Sequence, residues 1–122
     1  MKKDNILADK SFKFAVKIVD LYNHLREEKK DYILSKQVVR SGTSIGANVE
    51  EAIGGLSEKD FLAKLGIAYK ESRETIYWLR LTATRYRYDY CRDVRRYCAR
   101  SRRDLQNYRQ DTSNDEKENI NS

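Results

Sequence analysis

Proline is absent from the sequence, histidine and tryptophan occur once each, and cysteine occurs only twice. With no proline to break a helix and only five glycines, the chain suits long helices joined by few turns. No apolar run approaches the roughly 20 residues that a membrane helix needs. Lys2-Lys3 is followed by Asp4-Asn5 and not by an apolar core, so no secretory signal is read and a cytoplasmic protein is expected. The lone histidine, His24, has no cysteine, histidine or carboxylate cluster spaced to join it as a metal ligand. It is also the sole triad partner that Ser41 or Ser44 could have, so serine nucleophiles are excluded. Cys91 and Cys98 would lie about 10 Å apart along one helix, beyond disulfide reach, and read as reduced thiols. These absences leave no metal, triad or phosphate-loop constellation, so a non-enzymatic protein without a cofactor is expected.

What is abundant is charge, and it is unevenly placed. The chain holds 25 basic and 19 acidic residues, a formal net charge of +6. Between Arg85 and Arg109 there are nine arginines, three aspartates and neither lysine nor glutamate. That segment alone accounts for the whole excess, and the remainder has 16 residues of each sign. The 122 residues provide for one domain, and an apolar fraction of 39% permits part of the apolar surface to be shared with a partner subunit.

Apolar residues at helical spacing predict four helices, over about 11–28, 32–53, 58–84 and 90–108. The first nine residues read as a solvated leader and residues 111–122 as a disordered tail. The mixed-charge run Arg26 to Asp31 reads as a solvated connection. The second helix contains the run Ser41-Gly42-Thr43-Ser44-Ile45-Gly46-Ala47-Asn48. A phosphate loop would need a preceding strand and a Lys-Ser/Thr pair after the last glycine, and neither is present. Two glycines inside a helix cost about 1 kcal/mol each against alanine, so close approach of a neighbouring helix is the physical reason expected for them.

Gly54-Gly55 stops this helix, and Ser57 with Asp60 three residues on reads as the N-cap of the next. So short a connection forces an antiparallel hairpin. Folding about Gly55 places Arg40 near Glu71 and Glu74, Glu51 near Lys64, and Gly46 near Gly66. An Arg40 ion pair with Glu71 or Glu74 and close helix contact at Gly46/Gly66 are therefore predicted. Trp78 is expected in the core or at a subunit contact. Lys36, Lys59, Lys64 and Lys70 are candidates for a phosphate-contacting face, against the plainer reading of solvation and salt bridges.

The stretches LSKQVVRSGTSIGANVEEA and SEKDFLAKLGIAYKESRETIYWLRL resemble the 23S rRNA intervening-sequence proteins. That family also includes the accessory protein of diversity-generating retroelements, which works beside a reverse transcriptase. The resemblance runs from near Phe12 to about Leu81. It implies an all-α, antiparallel up-down four-helix bundle, here a single domain over residues 1–110 with an atypical fourth helix. It further implies assembly as a ring, typically a homopentamer. The implied partner is RNA, DNA or a nucleic-acid enzyme such as a reverse transcriptase, with no catalytic residues and no small-molecule substrate.

Two explanations of the segment RYRYDYCRDVRRYCARSRRDLQNYRQ stand side by side. In the first, arginine interleaved with tyrosine forms a nucleic-acid surface in which Arg92, Arg95, Arg96, Arg102 and Arg103 contact phosphates and rings stack on bases. In the second, the segment is out of frame. Back-translated from Arg85 and read one base later, one permitted codon choice gives DTDTTTVEMSDDIARDLEETYKIIVKT, an acidic, apolar-striped helix similar to the family's C-terminal one. The +6 charge would then be an accident of translation. A shift near Arg73–Arg85 from lysine-dominated to lysine-free basic usage points the same way.

Overall fold

The computed structural model describes residues 2–87 together with Arg103, Gln106 and Asn107. Among these residues the protein is all-α, with helices α1 (Lys2–Glu27), α2 (Leu34–Ile53) and α3 (Glu58–Tyr86) and no strand. The expected fourth helix over 90–108 lies outside the described residues, except that Arg103, Gln106 and Asn107 are helical. The side-chain amide of Gln106 donates to the Tyr69 hydroxyl at 2.8 Å, which brings that residue against α3.

The leader expected over the first nine residues is instead part of α1. Leu7, Ser11, Phe14, Ile18, Leu21 and Leu25 are all buried, at the alternating three- and four-residue spacing of one helix face. Leu7 extends that face by two turns beyond Phe14. Leu7 sits between apolar Ile6 and Ala8, and the next buried position, Ser11, is polar, so no helical stripe stands out there in the sequence.

Helix α2 runs alongside both α1 and α3, whereas the backbones of α1 and α3 do not approach each other. Its inward residues Val38, Ile45, Val49 and Ala52 meet the α1 stripe and Leu65, Ala68 and Leu79 of α3 in one core. Lys64 pairs with Glu51 and Arg40 pairs with Glu74, so advancing along α2 means retreating along α3. The hairpin is therefore antiparallel. Ser57 accepts from the backbone N–H of Asp60 at 3.1 Å, the N-cap read from the sequence.

The glycines of α2 face α1 and not α3. A Cβ on Gly42 would stand 2.7 Å from both Cγ atoms of Ile18, and one on Gly46 would stand 3.4 Å from the Ser11 carbonyl oxygen. Among the described residues, nothing lies within 4 Å of the position a Gly66 Cβ would take, so the expected Gly46/Gly66 contact between α2 and α3 is not made. The register of the hairpin is as expected; the face is not. At about 100° per residue, Gly42 and Gly46 stand roughly 200–240° round the helix from Arg40, so all three cannot point toward α3.

Three residues past the end of α1, the chain turns at Lys30, whose φ of 53° is left-handed. Around it, the Asp31 N–H donates to the Leu25 carbonyl at 2.9 Å. A left-handed φ favours glycine, because a Cβ there is strained. Lys30→Gly is expected to raise stability by about 0.5–1 kcal/mol, read as an upward shift in thermal midpoint by circular dichroism.

Candidate nucleic-acid interface

The polar residues singled out in the α2–α3 hairpin form a cross-brace. Arg40 donates to Glu74, lies 3.7 Å from Glu71, and also donates to the Gln37 side chain at 3.0 Å. The Trp78 indole N–H donates to the same Glu74 oxygen at 3.2 Å. That bond, with the hydrogen bond and charge of Arg40, holds the Glu74 carboxyl below its ordinary pKa despite partial burial. Trp78 is half-buried against the core and edge-on to Tyr77, with ring centroids 5.0 Å apart. Glu51 pairs with Lys64 at 2.6 Å, and the Asn48 amide donates to the Ser44 carbonyl at 2.8 Å. The Arg40 and Lys64 pairs cross between α2 and α3 and hold the hairpin in register, while the Asn48 bond stays within α2.

Of the basic residues expected to contact phosphates, Lys36 and Lys64 stand far apart along the hairpin. Lys36 is exposed in the first turn of α2, whereas Lys64 lies on α3 opposite Glu51, about 22 Å away along the axis. Lys64 is committed to its ion pair. Arg103 is exposed, and Arg92, Arg95, Arg96 and Arg102 lie outside the described residues.

A different cluster forms where the α1–α2 turn meets the last turn of α3. The Tyr86 hydroxyl donates to Asp31 Oδ2 at 2.6 Å. The other oxygen of Asp31 accepts from the N–H groups of Ile33 and Leu34 at 3.0 and 2.9 Å, capping α2. Around this latch stand cations on rings. Lys29 Nζ is 5.6 Å from the Tyr86 centroid and Arg85 Cζ is 5.4 Å from it. Arg26 Cζ lies 5.3 Å from the Tyr22 centroid and 5.8 Å from that of Tyr32. The sequence signal for this cluster was Tyr22 and Arg26 one helical turn apart. From spacing alone Tyr22 belongs to the apolar face of the first helix and Arg26 to a solvated connection, because the return of α3 onto that turn is a tertiary fact.

Burial pushes the Asp31 carboxyl upward, but the hydrogen bonds from Tyr86, Leu34 and Ile33 and the charge of Arg85 outweigh it, leaving the pKa lowered. The hydrogen bond to Asp31, burial and the Asp31 charge raise that of Tyr86, against the pull of Arg85. A lowered carboxylate contributes stability above its ordinary pKa of about 3.9, lost as pH falls through the folded value. A raised phenol contributes below about pH 10, and that contribution is lost as pH rises through its folded value. Tyr86→Phe is therefore expected to cost about 1 kcal/mol near neutral pH and to lose the alkaline limb. The acid limb should shrink but persist through the backbone donors, as urea melts across pH would show.

Among the described residues, no helix is long and apolar enough to cross a membrane. No group of three His, Cys, Asp or Glu side chains there comes together to hold a metal ion.

The family model described as "23S rRNA-intervening sequence protein" matches residues 3–107. That span passes beyond Phe12–Leu81, the extent of the resemblance read from the sequence, and takes in most of the arginine-rich segment. Among solved structures, a protein of unknown function from the S23 ribosomal protein family of Bacteroides thetaiotaomicron VPI-5482 is 42% identical, with a TM-score of 0.85. The alignment covers 88% of this chain and 98% of that one. No curated protein matches.

Proposed function

The chain belongs to the 23S rRNA-intervening sequence protein family, and on that premise we propose a non-enzymatic, oligomeric four-helix-bundle protein of the cytoplasm that associates with nucleic acid or with an enzyme acting on it. The observation that carries this reading is the segregation of charge. The whole +6 excess falls between Arg85 and Arg109, which continues from the end of α3, while the rest of the chain is neutral. A surface selected only to keep a protein dispersed needs no such concentration, whereas a phosphate backbone does. The family's name, with its reference to 23S rRNA, agrees in kind.

A fourth helix closing the bundle is supported by α2 alone lying alongside both its neighbours and by the Gln106 contact with Tyr69. Assembly with further copies, five by the family resemblance, is supported by an apolar strip along α1. Phe12, Val16 and Val19 recur at helical spacing and are 68%, 49% and 41% exposed. The same strip favours a second reading, an adaptor that binds only proteins. Binding of the full chain to a structured RNA through a salt series separates the two. Binding at low salt that weakens steeply as salt rises is expected; negligible binding at every salt leaves the adaptor.

A further inference from the structure

We propose that the end of the bundle where the α1–α2 turn meets the last turn of α3 is a stacking site for an unpaired base of single-stranded nucleic acid, with Tyr32 as the platform. The proposal rests on the reading above that the protein associates with nucleic acid, and assigns a surface and a substrate form to it.

Tyr32 is 52% exposed, in a turn whose backbone is fixed on both sides. On one side, Lys30 in its left-handed conformation and the Asp31 N–H to the Leu25 carbonyl tie the turn to the end of α1. On the other, the Asp31 carboxylate caps α2 and is itself held by Tyr86. A large ring held out on a fixed turn loses little conformational freedom when something stacks on it, which is what a base platform requires.

The cations are placed to accompany such a base. Arg26 lies near the rings of both Tyr22 and Tyr32 and donates to the Tyr22 hydroxyl at 3.0 Å, which uses only one of its five N–H groups there. Its guanidinium is thus oriented by two rings while donors remain for a phosphate. Lys29 and Arg85 flank the Tyr86 ring, and Lys30 is exposed beside them. Glu27 at the end of α1 and Glu28 in the turn are both exposed, so the local positive excess is small. Affinity here must therefore come more from stacking than from charge. A duplex hides its base faces and cannot use the site; a single strand exposes them.

The test uses the full chain with a fluorescent uridine 12-mer, a thymidine 12-mer and an RNA duplex as probes, read by anisotropy. Tyr32→Ala should weaken both single strands about tenfold with an unchanged salt slope and leave the duplex unaffected, while Tyr32→Phe should bind as the parent does. A far-ultraviolet melt confirms that Tyr32→Ala stays folded, as expected for a side chain more than half exposed. If the RNA strand alone responds, the site reads the sugar as well; if both respond, it reads base and phosphate only. Parental binding of single strands that Tyr32→Ala leaves intact would overturn the site and leave the functional reading standing. Failure of the parent chain to bind any of the three probes would remove the site together with direct nucleic-acid binding.

Discussion

Replacing Phe14 with alanine is expected to destabilise the protein by about 3–5 kcal/mol, a large share of the roughly 5–15 kcal/mol that holds a domain of ordinary stability folded. Phe14 is fully buried in the middle of the α1 stripe, between Ser11 and Ile18 and within the core shared with α2 and α3. Removing its ring forfeits the transfer of the largest side chain in that core and leaves a cavity that rigid neighbouring helices cannot fully close. Urea unfolding followed at 222 nm would show the midpoint falling sharply. Phe12 supplies the control, since the same residue type two positions earlier is 68% exposed. Phe12→Ala should change the unfolding of the single chain by well under 1 kcal/mol. If α1 joins copies through its outer strip, Phe12→Asp should instead lower the mass seen by light scattering.

Gly42→Leu is expected to cost about 3 kcal/mol or slightly more, the opposite of what helix propensity alone would give. A Cβ at this position already stands 2.7 Å from Cγ1 and Cγ2 of Ile18 and 2.9 Å from its Cδ1. Those Cγ atoms are not the far end of a pliant chain. They belong to a β-branched side chain that is wholly buried, so α1 and α2 must move apart to make room. A cycle with Ile18→Ala tests this directly: the cost of Gly42→Ala should shrink by about 1–2 kcal/mol, or change sign, once Ile18 is shortened. Gly66→Ala runs the other way. With no described residue within 4 Å of the added methyl, it should stabilise α3 by roughly 0.5–1 kcal/mol.

The contrast between Gly42 and Gly66 also shows how far the sequence could be read. Helix type, the Ser57 cap and the antiparallel hairpin follow from local chemistry, and so does the register that pairs Arg40 with Glu71 and Glu74 and Glu51 with Lys64. Each depends on spacing along one or two neighbouring segments. Which helix the glycines approach does not, because spacing fixes faces relative to one another but not what lies opposite each face. The same limit hid the cluster around Tyr86. Asp31 looked like one charge in a mixed run, and only the arrival of the α3 end makes it accept from a tyrosine while capping α2. Leu7 was lost for a different reason. One buried leucine gives no period, so α1 was begun at Ser11 although its buried face starts earlier.

The claim that the arginine-rich segment binds phosphate is tested most directly by the salt dependence of RNA affinity. The comparison is between the full chain and one in which Arg92, Arg95, Arg96, Arg102 and Arg103 are all changed to glutamine. If these five arginines each neutralise a phosphate, the slope of log K against log salt should flatten by about 3.5–4.5. An unchanged slope would contradict the assignment and mark the positive excess as a feature of the chain that takes no part in binding.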